Sequence, residues 1–525
     1  MHSEAVLDEP ERHDRARPPQ SSPPPSTSDT RALAAIVLLG VYVVVLLRTA
    51  WLGDDAFITL RTVDNFVNGY GMRWNVAERV QSFTHPLWFF VLAVPYSVTR
   101  EPYFTVYALT FATSIATFWL ALKRVASGTT AACVAGAALV CSKAFVDYST
   151  SGLENPLSHL LVVLLLLSFW QVQRDGKHLT RLWTLGSLLA LTRLDLSLIA
   201  APVLVAGSLR FTWRDVVKPA AAGLLPVVAW ELFSVVYYGV PFPNTAYAKL
   251  QTGISAASLA GQGLLYLVDA VSTDPVTPLA IAVGSAIVWR IGAREDRAVL
   301  LGVLLYVAYV VRVGGDFMTG RFLTVPVIAV VATWARRART LPVSAAGAAA
   351  AALVTFGLFA TTRPPLTSGL DTFIMNAVEG LSPSGVADER AFYYRYTGLL
   401  RWSRERPLPW NAQVERGLAL RAAPTVLTET NVGFIGYYAG PGSTIIDEYG
   451  LCDPLLARLP VEGEWRIGHF YRPAPPGYAD SIREDRNRIV DPALARRYEL
   501  IRRLTRDPLW SRRRWRAILA VNLGR

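Results

Sequence analysis

Apolar runs alternate with short polar loops along most of this 525-residue chain. They fall near 33–52, 103–121, 130–146, 156–172, 180–192, 194–209, 217–238, 276–291, 298–312, 322–335 and 341–360. A helix needs about 20 apolar residues to cross a bilayer, and most of these runs approach that length. The pattern predicts a polytopic α-helical membrane protein of about 11 spans. Segment 85–98 is apolar but short for a crossing and reads as re-entrant or interfacial. Beyond about residue 362 the pattern changes. There TVLTETNVGFIGYYAGPGSTIIDEYGLCDPLLARLP reads as strand, short helix, strand, then a turn at Asp453-Pro454. That order predicts a small C-terminal α/β or α+β domain with its own core.

Composition sharpens this picture. The chain is 52% hydrophobic and carries 52 Lys and Arg against 40 Asp and Glu, a net charge of +12. Such an excess can signal nucleic acid. Here much of it sits in the short loops, as Lys123-Arg124, Arg174/Lys177/Arg181, Arg210/Arg214/Lys218, Arg290/Arg294/Arg297 and Arg336/Arg337/Arg339. By the positive-inside rule these loops are cytoplasmic. With an odd number of spans the N-terminus is cytoplasmic and 362–525 is extracytoplasmic, on a multi-pass plasma-membrane protein. The remaining positive charge lies in an Arg-rich C-terminal part, where anionic lipid or anionic glycan is the expected neighbour. Residues 1–30, with PPQSSPPPSTS, read as a disordered cytoplasmic tail. A membrane domain follows over 31–361, with an outer loop at 53–102. Cys133 and Cys141 lie in one apolar run, and Cys452 stands alone. Neither a disulfide nor a zinc site is expected.

On this topology the motif-like loops share the outer face. They are GDDAF (53–57), DYSTSGLENP (147–156), TRLD (192–195), YGVPFPNTAYAK (238–249) and RVGGDFMTGR (312–321). Together they predict a polar outward cavity ringed by helix ends. The aspartate pair Asp54-Asp55, just after the first span, marks its centre. Adjacent carboxylates at a membrane boundary repel each other and seek solvent, a cation or a donor. The blander reading is an N-cap, which accounts for one aspartate and not for two. Arg193 and Asp195 could instead pair and hold two helix ends. Glu154 suits a cap or salt bridge as well as a substrate, and Asn244 suits a turn. His85, before Pro86, suits interfacial packing. Asp447, Asp453 and His469 read as folding residues. No internal repeat of transporter type is visible.

These residues carry a resemblance. DDAFITLRTVDNFVNGYGMRWNVAERVQSFTHPLW resembles the first outer loop of membrane glycosyltransferases of the GT-C fold. SGLENPL, PFPNTAYAK, GGDFMTGRF, GFIGYYAG, IDEYGLCDPLLAR and RIGHFYRPAPPGY are similar to actinobacterial arabinofuranosyltransferases that add terminal arabinose to cell-wall arabinan. The resemblance covers most of the chain. It implies a GT-C architecture, a polyprenyl-phosphate sugar donor, a cell-wall polysaccharide or lipoglycan acceptor, and catalysis by one or both of Asp54 and Asp55. Relatives in the fold class transfer mannose, glucose or aminoarabinose, so a mannosyl- or other glycosyltransferase is the alternative. A polyprenyl-lipid transporter or flippase is the alternative of another class.

The chemistry assigns roles within that expectation. An acceptor hydroxyl is a poor nucleophile and needs a base nearby. One carboxylate of the pair could take the proton while the other binds a divalent cation (Mg, Mn or Ca) or orients the sugar. The leaving group is a phosphate, for which Arg193, Lys249 and Arg321 are the candidate partners, with Arg312 behind them. His85, Glu154, Asp195, Asn244 and Asp316 are candidate substrate contacts. No nucleotide cofactor and no nucleic-acid partner is expected, for the chain has no P-loop or dinucleotide fingerprint.

Overall fold

The structure is a computed structural model that describes residues 27–338, 342–369, 381–405 and 409–523. Residues 1–26 of the expected tail, and Arg339, lie outside the described residues. Five described helices are long and apolar enough to cross a membrane: Thr30–Thr49, Pro102–Val125, Asn155–Asp175, Trp213–Tyr237 and Val343–Ala360. Counting Ala256–Thr273 and Val276–Ile291, bent by 102° at their junction, as one broken span gives six. Other apolar helices are shorter, including Pro86–Thr99 and Thr129–Cys141.

Local rules explain where several helices begin. Proline opens Pro86–Thr99, Pro102–Leu120 and, at its second position, Asn155–Asp175. There its missing N–H costs nothing, because the first turn has no intrahelical acceptor. Glu101 caps the second of these by accepting from the N–H groups of Tyr103 (2.8 Å) and Phe104 (2.7 Å).

The helices form a bundle with two distinct ends. At one end Arg31 donates to the Leu122 and Lys123 carbonyls. There Arg337 also pairs with Asp296 (2.5 Å), which accepts from Trp170 Nε1 (3.1 Å). Arg210, which donates to the Val172 carbonyl (3.0 Å), and Arg336, over the Trp170 ring (4.6 Å), also lie at this end. At the other end Gly53 N–H donates to Ser151 O (3.0 Å), and Leu52 N–H to Thr397 Oγ1 (3.1 Å). Helix Pro86–Thr99 starts here. His85 before it meets Glu154, and Arg100 after it meets Asn68 (2.9 Å).

Strands β1 (Val426–Glu429) and β2 (Thr444–Asp447) pair in parallel, Val426 against Thr444 through Glu429 against Asp447. Helix Gly433–Ala439 connects them. The order strand, short helix, strand is the one read from the sequence. The expected private core is present only in part. Ile446, Leu455, Leu456, Tyr478, Ile489, Tyr498 and Ile501 pack together, but Val432, Ile435, Ala439, Ile445 and Cys452 share a cluster with Ile58 and Trp74 of the outer loop. Arg61 staples the two segments. Its guanidinium, fully buried and stacked on Trp74 at 4.3 Å, donates to the carbonyls of Trp74 (2.8 Å), Gly436 (2.7 Å) and Ser443 (2.8 Å). The three cysteines are free thiols.

Candidate active site

The two aspartates open helix Asp54–Val67 and then part company. Gly53 is that helix's N-cap, and no side chain caps it. Asp54 caps a different helix. Its carboxylate accepts from the backbone N–H groups of Gly433 (3.0 Å) and Phe434 (2.7 Å), at the start of Gly433–Ala439. The approach is close: a Cβ on Gly433 would lie 1.9 Å from the Asp54 carbonyl oxygen. Burial, set against the Phe434 N–H and joined by the Asp55 charge, raises the Asp54 carboxyl to about 7.

Asp55 makes no such bond. Both aspartates line a cavity of about 120 Å³, together with Phe317, Asp388, Glu389, Phe392, Tyr393, Asn431, Arg466 and His469. Burial raises the Asp55 carboxyl; Lys249 and Arg321 pull it back down, while Asp316 and Glu154 add to the rise. Asp55 therefore stands between a partly open cavity and a set of cations.

That set is organised by Glu154, which is fully buried. Its carboxylate meets Arg321 Nη2 at 3.1 Å, His85 Nδ1 at 3.1 Å and Arg193 Nη1 at 3.8 Å. Burial opposes its ionisation, but Arg321, His85 and Arg193 outweigh burial and hold its carboxyl well below the usual range. Arg321 also meets Asp316 (3.4 Å). Arg193 is held by both oxygens of Asp195 (3.1 and 2.5 Å) and lies over the Phe322 ring (4.2 Å). His85 Nε2 shares a hydrogen bond with Thr59 Oγ1 (2.8 Å). Four loops far apart in sequence thus meet in one network.

The cations are not equivalent. Arg193 is locked by Asp195, and Arg321 is divided between two carboxylates with its Nε buried and unpartnered. Lys249 has no ion pair among the described residues. Its ammonium sits 5.6 Å from the Phe317 ring centre, within electrostatic reach of Asp55. Asn244 lies elsewhere. Its amide donates to the carbonyls of Gly450 (2.9 Å), Leu451 (3.2 Å) and Asp453 (3.0 Å) and accepts from Arg458 (3.0 Å), which makes it a clamp on the outer segment. Arg312 ends helix Arg297–Arg312 without an ion pair among the described residues.

Several residues of the cavity carry no signal in the sequence reading. Glu389 opens helix Glu389–Thr397, which Asp388 caps through the Ala391 N–H (3.1 Å). Burial, with Asp55 beside it, pushes the Glu389 carboxyl well up. The acids of ADERAFYYRY, a second Asp-Glu pair ahead of an aromatic run, were the available hint. Asn431 and Tyr393 stood in no motif of their own, and Arg466 opens RIGHFYRPAPPGY, to which no role was given. His469, read as a folding residue, lines the cavity, edge-on to Phe317 (4.5 Å) and Tyr449 (5.0 Å). Burial pushes its ring down to about 3, so it is neutral. Asp447 and Asp453 hold turns, accepting from Cys452 N–H (2.8 Å) and Leu456 N–H (2.8 Å) respectively.

The expected divalent cation at Asp54 and Asp55 does not fit this donor set. Both Asp54 oxygens already accept backbone N–H groups, and the two side chains diverge. Among the described residues no three His, Cys, Asp or Glu side chains are grouped to hold a metal ion. The nearest positive charges to Asp55 are those of Lys249 and Arg321.

Fold and site together define a helical membrane protein whose acid-and-cation centre lies at one end of the bundle. No known family profile matches the chain. It is similar to a terminal β-(1→2)-arabinofuranosyltransferase of Corynebacterium glutamicum, 30% identical over 331 residues, 54% of this chain and 47% of that one. It is also similar to a terminal β-(1→2)-arabinofuranosyltransferase of Mycobacterium tuberculosis, 25% identical over 80% of each chain. The match thus spans about half the length of the first relative and four-fifths of the second. Among solved structures it is similar to ArnT from Cupriavidus metallidurans, bound to undecaprenyl phosphate, with a TM-score of 0.47 and 13% identity over 80% of this chain and 86% of that one. The curated relatives carry the activity that the sequence motifs resemble.

Proposed function

We propose that this protein is a membrane glycosyltransferase that moves arabinofuranose from a polyprenyl phosphate donor to the arabinan of a cell-wall polysaccharide or lipoglycan. The observation that carries this reading is Asp55, a carboxylate with no hydrogen bond among the described residues, between the cavity and Lys249, which has no ion pair among them. In the reaction, Asp55 takes the proton of the acceptor hydroxyl. The acceptor oxygen bonds to the anomeric carbon as the bond from that carbon to the phosphate oxygen breaks, and polyprenyl phosphate leaves. Lys249 and the free Nε of Arg321 face the charge that grows on the phosphate. Arg193, Glu154, Asp195, Asp316 and His85 hold Arg321 in place. Asp54 positions the helix Gly433–Ala439, which follows Asn431 of the cavity lining. Glu389, whose carboxyl burial pushes up, faces the acceptor from the same cavity.

The proposed topology has about eleven crossings, with Pro86–Thr99 and Ala256–Thr273 lying on the outer face and the positive clusters inside. The N-terminus is then cytoplasmic, 31–361 forms the membrane domain, and 362–525 is extracytoplasmic. The cations of the site are the protein's own, so transfer should persist in excess EDTA. Loss of activity restored by Mg, Mn or Ca would reject that assignment.

The purified chain in lipid nanodiscs, given radiolabelled polyprenyl-phosphoarabinose and an arabinan oligosaccharide, should extend the oligosaccharide. Transfer from a polyprenyl-phosphomannose donor in its place would establish the mannosyl alternative. Movement of labelled lipid across liposomes without transfer would establish a flippase.

A further inference from the structure

The Arg-rich C-terminal segment has no part in the chemistry above. Its last described helix, Arg512–Leu523 (RRRWRAILAVNL), is joined to the end of the candidate span Trp213–Tyr237. Arg514 is fully buried and donates to the carbonyls of Tyr237 (2.9 Å), Leu504 (3.0 Å) and Leu509 (3.1 Å). Asn522 donates to Gly239 O (2.8 Å), and Ile518 packs over Gly239. These contacts hold one side of the helix against the point where the span leaves the bilayer.

The other side is unpartnered. Arg512, Arg516, Leu519 and Leu523 recur at helical spacing, so they share one exposed face. Leu519 is 56% exposed, Leu523 62%, and Trp510 just before the helix 73%. Arg512, Arg513 and Arg516 are exposed and have no ion pair among the described residues. No acidic residue lies in the first turn of this helix, so three cations crowd its positive end with nothing to offset them. The face continues the lipid-facing flank of Trp213–Tyr237, where Leu225 and Leu232 are also exposed. Apolar side chains, a tryptophan and unpaired arginines at the end of a span are the features of a helix lying in a headgroup layer.

We infer that Arg512–Leu523 is a membrane-surface anchor: Trp510, Leu519 and Leu523 enter the acyl boundary, and Arg512, Arg513 and Arg516 bind the phosphates of anionic phospholipid. The anchor ties the C-terminal segment to the bilayer beside the span it packs on. This inference rests on Trp213–Tyr237 crossing the membrane and is independent of the reaction proposed above.

Depth-resolved spin labelling tests it on the full chain in nanodiscs. Nitroxides are placed on Leu519→Cys and Leu523→Cys, with Leu232→Cys as the lipid reference and Arg483→Cys as the water reference. In bilayers containing phosphatidylglycerol, labels at 519 and 523 should meet oxygen in preference to a nickel chelate, with nickel collisions several-fold fewer than at 483. In pure phosphatidylcholine, in about 1 M salt, where the Debye length falls to about 3 Å, or with R512Q/R513Q/R516Q, nickel access should rise. Nickel access at 519 equal to that at 483 in every bilayer would overturn the anchor. Equal depth in both lipids would overturn its anionic preference. Protection that develops only with a soluble anionic polysaccharide would assign the face to glycan instead.

Discussion

Asp54 and Asp55 are neighbours in the chain and differ in everything that matters chemically. Asp54 is bonded through both oxygens, whereas Asp55 is left to the cavity. Asp55→Asn should therefore lower transfer by about 10²–10⁴-fold, the usual worth of a positioned base, with melting little changed. Asp54→Asn replaces one acceptor by a donor against a backbone N–H, and should cost about 1–3 kcal/mol of stability, read as a lower melting temperature. Equal behaviour of the two variants would reject this division. Lys249 makes a further distinction. It lowers the Asp55 carboxyl from a position that burial has raised. A base works only when deprotonated, so activity falls as pH drops through its pKa. In Lys249→Ala that pKa rises, and the acid limb of the kcat/KM profile should move to higher pH. A limb that stays put, or moves down, would show that Lys249 does not act on the base.

Helix Gly433–Ala439 is the element on which the site depends from the outer side. Its first N–H groups meet Asp54, and its Gly433 has no room for a side chain. Gly433→Ala should push the helix from the aspartate pair. We expect a loss of about 1–3 kcal/mol, as for other overpacked sites, and reduced transfer with Asp55 intact; unchanged melting and rate would sink this. On the membrane side Glu154, just before helix Asn155–Asp175, gathers Arg193, Arg321 and His85 from three other loops. A buried carboxylate that meets two guanidinium groups and an imidazole sets their positions, and a single loop could not.

The whole molecule separates its charges. Arg31, Arg210, Arg336 and Arg337 lie at one end of the bundle and the acid-and-cation site at the other. An impermeant maleimide should label Glu464→Cys in sealed cells and Lys177→Cys only after lysis. The background is low, as Cys141 and Cys452 are buried and Cys133 is in an apolar helix. Labelling of both sites, or of Lys177→Cys alone, in sealed cells would overturn the crossing count.

Much of this was legible along the chain. The apolar runs, the positive loops, the aspartate pair at the start of a helix and the strand–helix–strand order are local patterns, and local sterics and hydration dictate them. The motif loops could also be assigned to one face. Their pairing could not be read. Arg321 and Glu154 are 167 positions apart, and Asp54 and Phe434 are 380 apart. Packing chose which acid would be bonded, which cation would stay free, and that Asn244 would serve the outer segment. It also brought Glu389 and Arg466 into the cavity, where burial and neighbouring charge, and not residue type, set their chemistry.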